Sequence, residues 1–276
     1  MIYVLPRSGL GNRMRVIDSA VALGADLRRR VEIYWVPDDG LACPFSKLFE
    51  PFGQDFVTVR DCRRRPVRFM YLQPHVYALM RHLDISPNRF AAHDARRLRI
   101  YPFKAEQRKL FIASHSKFYH KQTDYTWFTP IEVLRDRIAQ KTASFDTYTI
   151  GIHIRRTDHS IAIEKSPDAL FLREMHQIVG AEPRTRFYLA TDSEHVKRAM
   201  ASTFGARLMT SPYAASRNTV EGMQEALVEL YTLAATSRII GSFGSSYSTI
   251  ASQIGQIELT RLAEEPEQSV DQTKQL

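Results

Sequence analysis

Residues 147–159 read TYTIGIHIRRTDH, and this stretch is the strongest indication of the fold in the sequence. Its first half alternates polar residues with β-branched or aromatic ones, which predicts a β-strand. One histidine, two adjacent arginines and one aspartate occur within six positions: His153, Arg155, Arg156 and Asp158. Ligands of open α/β folds lie just past the carboxyl ends of strands, and arginine presents paired donors to phosphate, so we expect an anion site here. Solvated arginines at a surface strand end are the alternative.

The composition predicts a globular protein in a reducing compartment. Of the 276 residues, 44% are hydrophobic and 25% are charged, which is enough for one large or two modest domains. The N-terminal stretch is broken too soon by Pro6 to be a signal peptide, and no apolar run predicts a membrane span. Cys43 and Cys62 match no metal-binding or disulfide pattern. We expect a cytoplasmic protein.

Net charge differs between the two halves of the chain. Residues 1–147 contain 25 Lys and Arg against 15 Asp and Glu, a balance of +10. Residues 148–276 contain 13 against 15, a balance of −2. This asymmetry indicates two units with different partners, and the basic half suits an anionic partner or peripheral contact with the inner membrane face.

The first 36 residues predict a β-loop-α-β unit. A strand over 2–5 leads through a loop over 6–12 into a helix over 13–29, and a second strand follows over 31–36. A parallel strand pair with a right-handed connection is the default for this order. The loop sequence GLGN suits a tight turn into a helix N-terminus, which attracts anions. The full dinucleotide-binding fingerprint is missing because no third glycine follows at the required offset.

The second half predicts alternating strands and helices, and therefore a second parallel sheet. Asp192 and Ser193 follow a strand predicted at 186–190, where either residue can cap the next helix. The glycine- and serine-rich segment 241–249 follows a strand at 238–240 and offers hydroxyl and amide groups to a phosphate. All these loops can open at the same sheet edge, a composition that recognises a nucleoside diphosphate.

Ordered motifs in the chain resemble those of the GDP-fucose-dependent fucosyltransferases. The motifs are GLGNRM at 9–14, HIRRTD at 153–158, ATDS at 190–193, and ALVEL at 226–230 continuing to SSYS at 245–248. The α1,6 type, including the rhizobial nodulation enzymes, and the protein O-fucosyltransferases are the most similar groups. The resemblance extends from residue 1 to about residue 255, although 60–130 match nothing in the family.

The resemblance implies an α/β protein of GT-B-like architecture, with two Rossmann-like domains that each contain a parallel sheet. Residues 1–145 would form the acceptor-side domain and residues 146–262 the nucleotide-sugar-binding domain. The composition of residues 263–276, which lack apolar side chains over most of their length, separately predicts a disordered tail.

The same resemblance assigns roles to individual residues. Arg155 would be catalytic, because it would hold the β-phosphate and assist the departure of GDP. His153 and Asp192 would contact the nucleoside, while Asn12 would reach the sugar or diphosphate from the first domain. The expected donor-binding residues are Gly11, Asn12, Arg13, His153, Arg156, Asp158, Asp192, Ser193, Ser245, Ser246 and Ser248. Glu229 stands where the family commonly has an acid, and we expect it to order the loop. Thr157 stands where many members have glycine.

The expected activity is metal-independent, inverting transfer of fucose from GDP-fucose to a glycan or lipid-linked acceptor. No Asp-x-Asp sequence occurs, so the metal-holding acid pair of GT-A transferases is missing. Neither a metal nor another cofactor is expected, and Arg155 with amide dipoles would stabilise the leaving group. The basic first half favours an anionic acceptor. Five residues are candidates for the catalytic base, with none preferred: Asp18, Asp38, Asp39, Asp158 and His159.

Two other interpretations stay open. The donor can be a different nucleotide-sugar, because the motifs mostly recognise GDP. Alternatively, the protein is a non-enzymatic polyanion- or nucleic-acid-binding module that uses the basic first half and its interspersed aromatic residues. No nucleic-acid partner is expected, since no recognition motif is present and the basic residues are dispersed.

Overall fold

A computed structural model of the chain describes residues 1–63, 83–85, 110–119, 124–157, 160–213 and 215–264. These residues form two successive α/β halves, and each half contains one five-stranded sheet. Every pair of neighbouring strands in both sheets is parallel. The predicted fold class, with two Rossmann-like parallel sheets, is therefore confirmed.

The first half is built on a central buried strand. Its elements are β1 (Ile2–Pro6), α1 (Leu10–Asp26), β2 (Val31–Trp35), β3 (Val57–Asp61), β4 (Leu83–Ile85) and β5 (Leu110–Ser114), with one turn of 3-10 helix at Phe45–Lys47. The strand order is β3-β2-β1-β5-β4. Strand β1 is buried along its whole length because it is covered on both edges and both faces, as its continuous apolar sequence requires.

The second half repeats this plan. Its elements are α2 (Glu132–Thr142), β6 (Thr149–Ile154), α3 (Ser160–Lys165), α4 (Asp168–Ala181), β7 (Arg186–Thr191), α5 (Glu194–Phe204), β8 (Leu208–Thr210), α6 (Val220–Ala234), β9 (Ile239–Ser242), α7 (Ser246–Gly255) and β10 (Leu259–Leu262), with a 3-10 turn at Gly205–Arg207. The strand order is β10-β9-β6-β7-β8, so the central strand β6 is again covered on both edges. Its carboxyl end carries the arginine motif into the middle of that sheet edge.

One hydrophobic core joins the two halves. Met14 of α1, Leu227 of α6 and Ile250 of α7 belong to the same buried cluster. Helix α2 precedes the predicted domain boundary at 145/146 yet packs on α6, where Lys141 donates to Glu225 at 2.6 Å and Arg137 also pairs with that carboxylate. The division into domains at this boundary stays a prediction, because the halves share side-chain packing across it.

The structure differs from the sequence prediction mainly at short elements. Helix α1 begins at Leu10, not at 13, so the GLGN motif forms its first turn. Strands β4 and β10 and helix α3 were not predicted, because three to six residues are too few to show a periodic pattern. In the predicted tail, Glu264 donates its N–H to the carbonyl of Lys165 at 2.8 Å, and 265–276 lie outside the described residues. None of the helices in the described ranges is both long and apolar enough to cross a membrane.

The contact between α6 and α7 depends on Gly255, and we predict that Gly255→Ala destabilises the protein. An alanine Cβ there would lie 2.0 Å from the carbonyl oxygen of Ala234, so the helices must separate. The expected loss is about 1–3 kcal/mol, or a Tm lower by roughly 3–10 °C in thermal denaturation. Gly180→Ala in α4 is the matched control, because no atom lies within 4 Å of its Cβ position. Equal Tm changes in both variants would contradict this account.

Candidate functional site

A cavity of about 680 Å³ opens between the carboxyl edges of the two sheets. Its volume lies within the range of small-molecule binding sites. Seven of the residues predicted to bind donor or act in catalysis line this cavity: Gly11, Asn12, His153, Arg155, Asp192, Ser245 and Ser246. Both halves therefore contribute to one site, as expected of a ligand held between two open α/β units.

Two helix N-termini meet at this cavity. A Cβ on Gly11, in the first turn of α1, would lie 3.4 Å from the Oγ of Ser246, the first residue of α7. Within the described chain, no side chain caps either helix. Their first N–H groups and the positive ends of their dipoles are thus available to the same anion.

The Arg155 side chain is held at the cavity by Asp192. Nη1 of Arg155 donates to Oδ2 of Asp192 at 2.8 Å, and the Arg155 N–H donates to Oγ of Ser242 at 3.1 Å. Asp192 also accepts from the Arg156 N–H at 2.8 Å and from the Thr157 hydroxyl at 2.6 Å. One carboxylate from the end of β7 therefore orders residues 155–157, the part of the loop after β6 that the structure describes.

This set of contacts keeps Asp192 ionised. Burial alone raises the pKa of the carboxyl group, but the Thr157 hydroxyl and the Arg155 charge outweigh it, so the pKa of Asp192 lies below its usual value. Its oxygens are occupied by the loop and by Arg155, so its evident structural role is to position that arginine. Thr157 supplies two of these bonds, through its hydroxyl and its N–H, where a glycine would supply only the backbone one.

A buried wall of the cavity contains His153, Tyr247 and Glu229. His153 is 4% exposed and stacks on Tyr247 with ring centroids 4.9 Å apart, while the Tyr247 hydroxyl donates to the carbonyl of Ala226 at 2.5 Å. Burial, followed by the Arg155 charge, lowers the pKa of His153 to about 3, so the imidazole is neutral at physiological pH. Among the described residues, Nδ1 of His153 has no hydrogen-bond partner.

Glu229 is an acid in an unfavourable environment. It is 3% exposed, and burial raises its pKa to about 8 despite the opposing charges of Lys197 and Lys141. Nothing in the described part of the chain donates to its Oε1. A buried polar atom without a partner costs on the order of 1–3 kcal/mol, so Oε1 requires a donor from outside the described residues.

Four of the predicted donor-binding residues do not line the cavity. Arg13 is fully buried and donates to the carbonyls of Ser8 and Val36 and to Asp38, which fixes the chain around the α1 N-terminus. Arg156 turns to Asp168 of α4. Ser193 caps α5 by accepting from the Val196 N–H, and Ser248, a residue of α7, is fully buried against Gly241 of β9. Asp158 lies outside the described residues.

The candidate catalytic bases are also placed by the structure. Asp18 is fully buried beside Lys117 at 3.7 Å, Asp38 pairs with Arg13, and Asp39 is exposed. None of these three lines the cavity, and Asp158 and His159 lie outside the described residues. In the described ranges, no three His, Cys, Asp or Glu side chains are grouped so that they could hold a metal ion.

Sequence reasoning missed several cavity residues. Arg15 follows the GLGN motif by one helical turn, and Tyr247 lies inside the predicted serine-rich segment. The positions of both residues in the sequence could therefore have indicated that they line the cavity. Ser216, Arg217 and Asn218 come from an irregular connection between β8 and α6, where no periodic pattern or motif marked them.

No model of a known protein family matches the chain, and no curated protein matches it. Solved structures do. The α1,6-fucosyltransferase NodZ, soaked with GDP-fucose, has a TM-score of 0.64 at 18% identity over 91% of this chain and 92% of that one. A variant of Arabidopsis thaliana FUT1 in complex with GDP has a TM-score of 0.63 at 14% identity, over 97% and 70%. POFUT1 in complex with GDP has a TM-score of 0.57 at 11% identity, over 95% and 97%.

These neighbours come from the family that the sequence motifs indicated. At such low identity the likeness concerns the fold, and it covers nearly the whole chain. The protein therefore has the GT-B-like, two-domain fold that these fucosyltransferases share.

Proposed function

We propose that this protein is a glycosyltransferase that binds GDP-fucose in the cavity between its halves and transfers the sugar with inversion. The observation that carries the proposal is the position of Arg155, held by Asp192 at a cavity where two uncapped helix N-termini meet. Arginine and helix N-termini together bind phosphate groups strongly.

The leaving group in such a transfer is a nucleoside diphosphate, whose negative charge grows as the sugar departs. A guanidinium and amide dipoles that are already fixed in place stabilise this charge without reorganisation. The chain itself supplies positive charge at this point, so we propose that the reaction needs no metal. Attack by an acceptor hydroxyl from the opposite face of the sugar would invert its configuration.

Guanine fits the polar atoms of the buried wall. Its N1–H and 2-amino groups are neighbouring donors, and a carboxylate can accept from both. Oε1 of Glu229 and Nδ1 of His153 are the buried atoms there that lack partners among the described residues. Guanine would bind the ionised form of Glu229, whereas adenine, whose N1 is an acceptor, would leave that carboxylate without donors. We therefore assign Glu229, which the sequence suggested as a loop-ordering residue, to recognition of the base.

The solved structures of similar fold support this donor. NodZ was soaked with GDP-fucose, and the FUT1 and POFUT1 structures contain GDP. We propose that a glycan or lipid-linked acceptor, anionic in character, approaches from the basic first half, which contributes Asn12 and Arg15 to the cavity.

We predict that Arg155→Ala loses GDP binding. Removal of a charge-assisted contact to phosphate should weaken the affinity by roughly 10- to 150-fold, and it leaves the partly buried Asp192 without its cation. Calorimetric titration with GDP, UDP and ADP in EDTA measures this change, and GDP-fucose turnover is followed in the same samples.

The matched control is Arg184→Ala, which removes an exposed arginine paired with Glu182. It should bind GDP like the wild type. Failure of the wild type to bind any of these nucleotides would remove the proposed function and leave the polyanion-binding alternative. Binding that appears only when a divalent metal is added would contradict metal independence.

We predict that Glu229→Gln stabilises the free protein but weakens recognition of guanine. The pKa of Glu229 is raised from 4.5 to about 8, so folding takes up a proton between these values and the destabilisation grows as pH rises through that window. The variant should therefore melt at a higher temperature than the wild type at pH 8, with a smaller difference near pH 5.

Titrations with GDP and inosine diphosphate complete this test, because inosine lacks the 2-amino group. Wild-type affinity for GDP should increase between pH 6 and pH 8 as the carboxylate forms, and the preference for GDP over inosine diphosphate should fall in the variant. An unchanged preference would show that Glu229 does not contact the base. Glu225→Gln is unsuitable as a control because Glu225 joins α2 to α6, so Glu221→Gln on the outer start of α6 is used instead.

A further inference from the structure

The connection between β8 and α6, residues 211–219, crosses from the second half of the protein to the first. We call it the strap; its Ala214 lies outside the described residues. The carbonyl of Arg217 accepts from the Ala42 N–H at 2.8 Å. The strap therefore contributes residues to the cavity at the side of the first half, although it belongs by sequence to the second.

Polar contacts anchor the two ends of the strap. Lys197, only 6% exposed, donates to the carbonyls of Ser211 at 3.3 Å and Tyr213 at 3.2 Å. Ser211 is buried and hydrogen-bonded to Glu225. At the other end, the Thr219 hydroxyl accepts from the Gly222 N–H at 3.0 Å and caps α6.

Close packing adds to these hydrogen bonds. A Cβ on Gly222 would lie 2.6 Å from both the Cβ and the carbonyl oxygen of Ser216, so only glycine lets the strap pass this near to α6. Anchoring at both ends and at Ser216 reduces the conformational entropy that the strap would lose when a ligand binds.

The side chain that the strap delivers is Arg217. Its Cζ lies 3.8 Å from the position that a Cβ on Gly9 would occupy, and Gly9 is the N-cap residue of α1. Arg217 lines the same cavity as Arg155, Ser245 and Ser246. A second guanidinium thus lies beside one of the two helix N-termini, on the wall formed with the first half.

The charge balance of the site indicates that this guanidinium would bind phosphate. Arg155 is paired with Asp192 at 2.8 Å, so part of its charge is already balanced before a ligand binds. A nucleoside diphosphate carries more than one negative charge, and its terminal phosphate carries the largest share. A second guanidinium on the other wall adds positive charge near the place where this phosphate would lie.

We propose that Arg217 is a second phosphate-binding arginine, which contacts the terminal phosphate of the bound nucleoside diphosphate from the side of the first half. The proposal rests on the proposed function, since it deepens the description of the same donor site. The arginine motif of β6 and the strap would then contact the phosphate from two walls of the cavity. Both contacts would be made by the paired N–H donors of a guanidinium group.

The test compares GDP with GMP, which lacks the terminal phosphate. Arg217→Ala should weaken GDP binding about tenfold or more, while GMP binding stays within about twofold of the wild type. Arg217→Lys keeps the charge but loses the planar fork, so its GDP affinity should lie between those two proteins. Arg60→Ala, which removes an exposed arginine paired with Glu32 in the first half, is the matched control and should bind both nucleotides normally.

The possible results separate this proposal from the function on which it rests. If the wild type binds GDP but Arg217→Ala binds GDP equally well, the role of Arg217 is wrong and the proposed function stands. If Arg217→Ala lowers the affinity for GDP and for GMP by the same factor, the strap affects the whole cavity. The proposed contact with the terminal phosphate is then wrong. If the wild type does not bind GDP, the proposed function fails first.

Discussion

The carboxylate of Asp192 is the interaction on which the site depends. It lies at the end of β7 and accepts hydrogen bonds from three consecutive residues of the loop after the neighbouring strand, Arg155 to Thr157. Burial penalises this charge, so the carboxylate is stable only while these donors surround it. The same contacts give two adjacent arginines opposite directions: Arg155 faces the cavity and Arg156 turns to Asp168.

Much of the fold was predictable from the sequence because parallel strands and amphipathic helices have strong periodic patterns. The order of strands also brought the His153–Arg155 and Ser245–Ser246 segments to one sheet edge. Motif position does not reveal side-chain direction, however, which is why Arg13, predicted to bind the donor, lies buried against Trp35. The sequence of the strap did not indicate that it contributes to the cavity, because its position depends on non-local contacts with Lys197 and Ala42.

The buried wall shows how binding and stability oppose each other in this protein. Glu229 and His153 both lie in surroundings that favour their neutral forms, and each has an atom without a partner among the described residues. A core made only of apolar side chains would be more stable at these positions. An acid at this position is explained if a ligand supplies the missing donors. Hydrogen bonds from bound guanine would then offset the destabilisation that the buried acid causes in the free protein.

The shared core of the two halves limits how such a ligand can be recognised. The strap is hydrogen-bonded to the first half, and residues of α1, α6 and α7 pack in one cluster, so the cavity is largely formed before binding. A preformed cavity needs little conformational change on binding. More of the interaction energy with a ligand then contributes to the difference in affinity between ligands. Discrimination must then come from fixed polar atoms. In the proposed function, the buried wall would select the base and the arginines and helix N-termini would select the diphosphate, so a substitution at one end of the site should leave recognition at the other end unchanged.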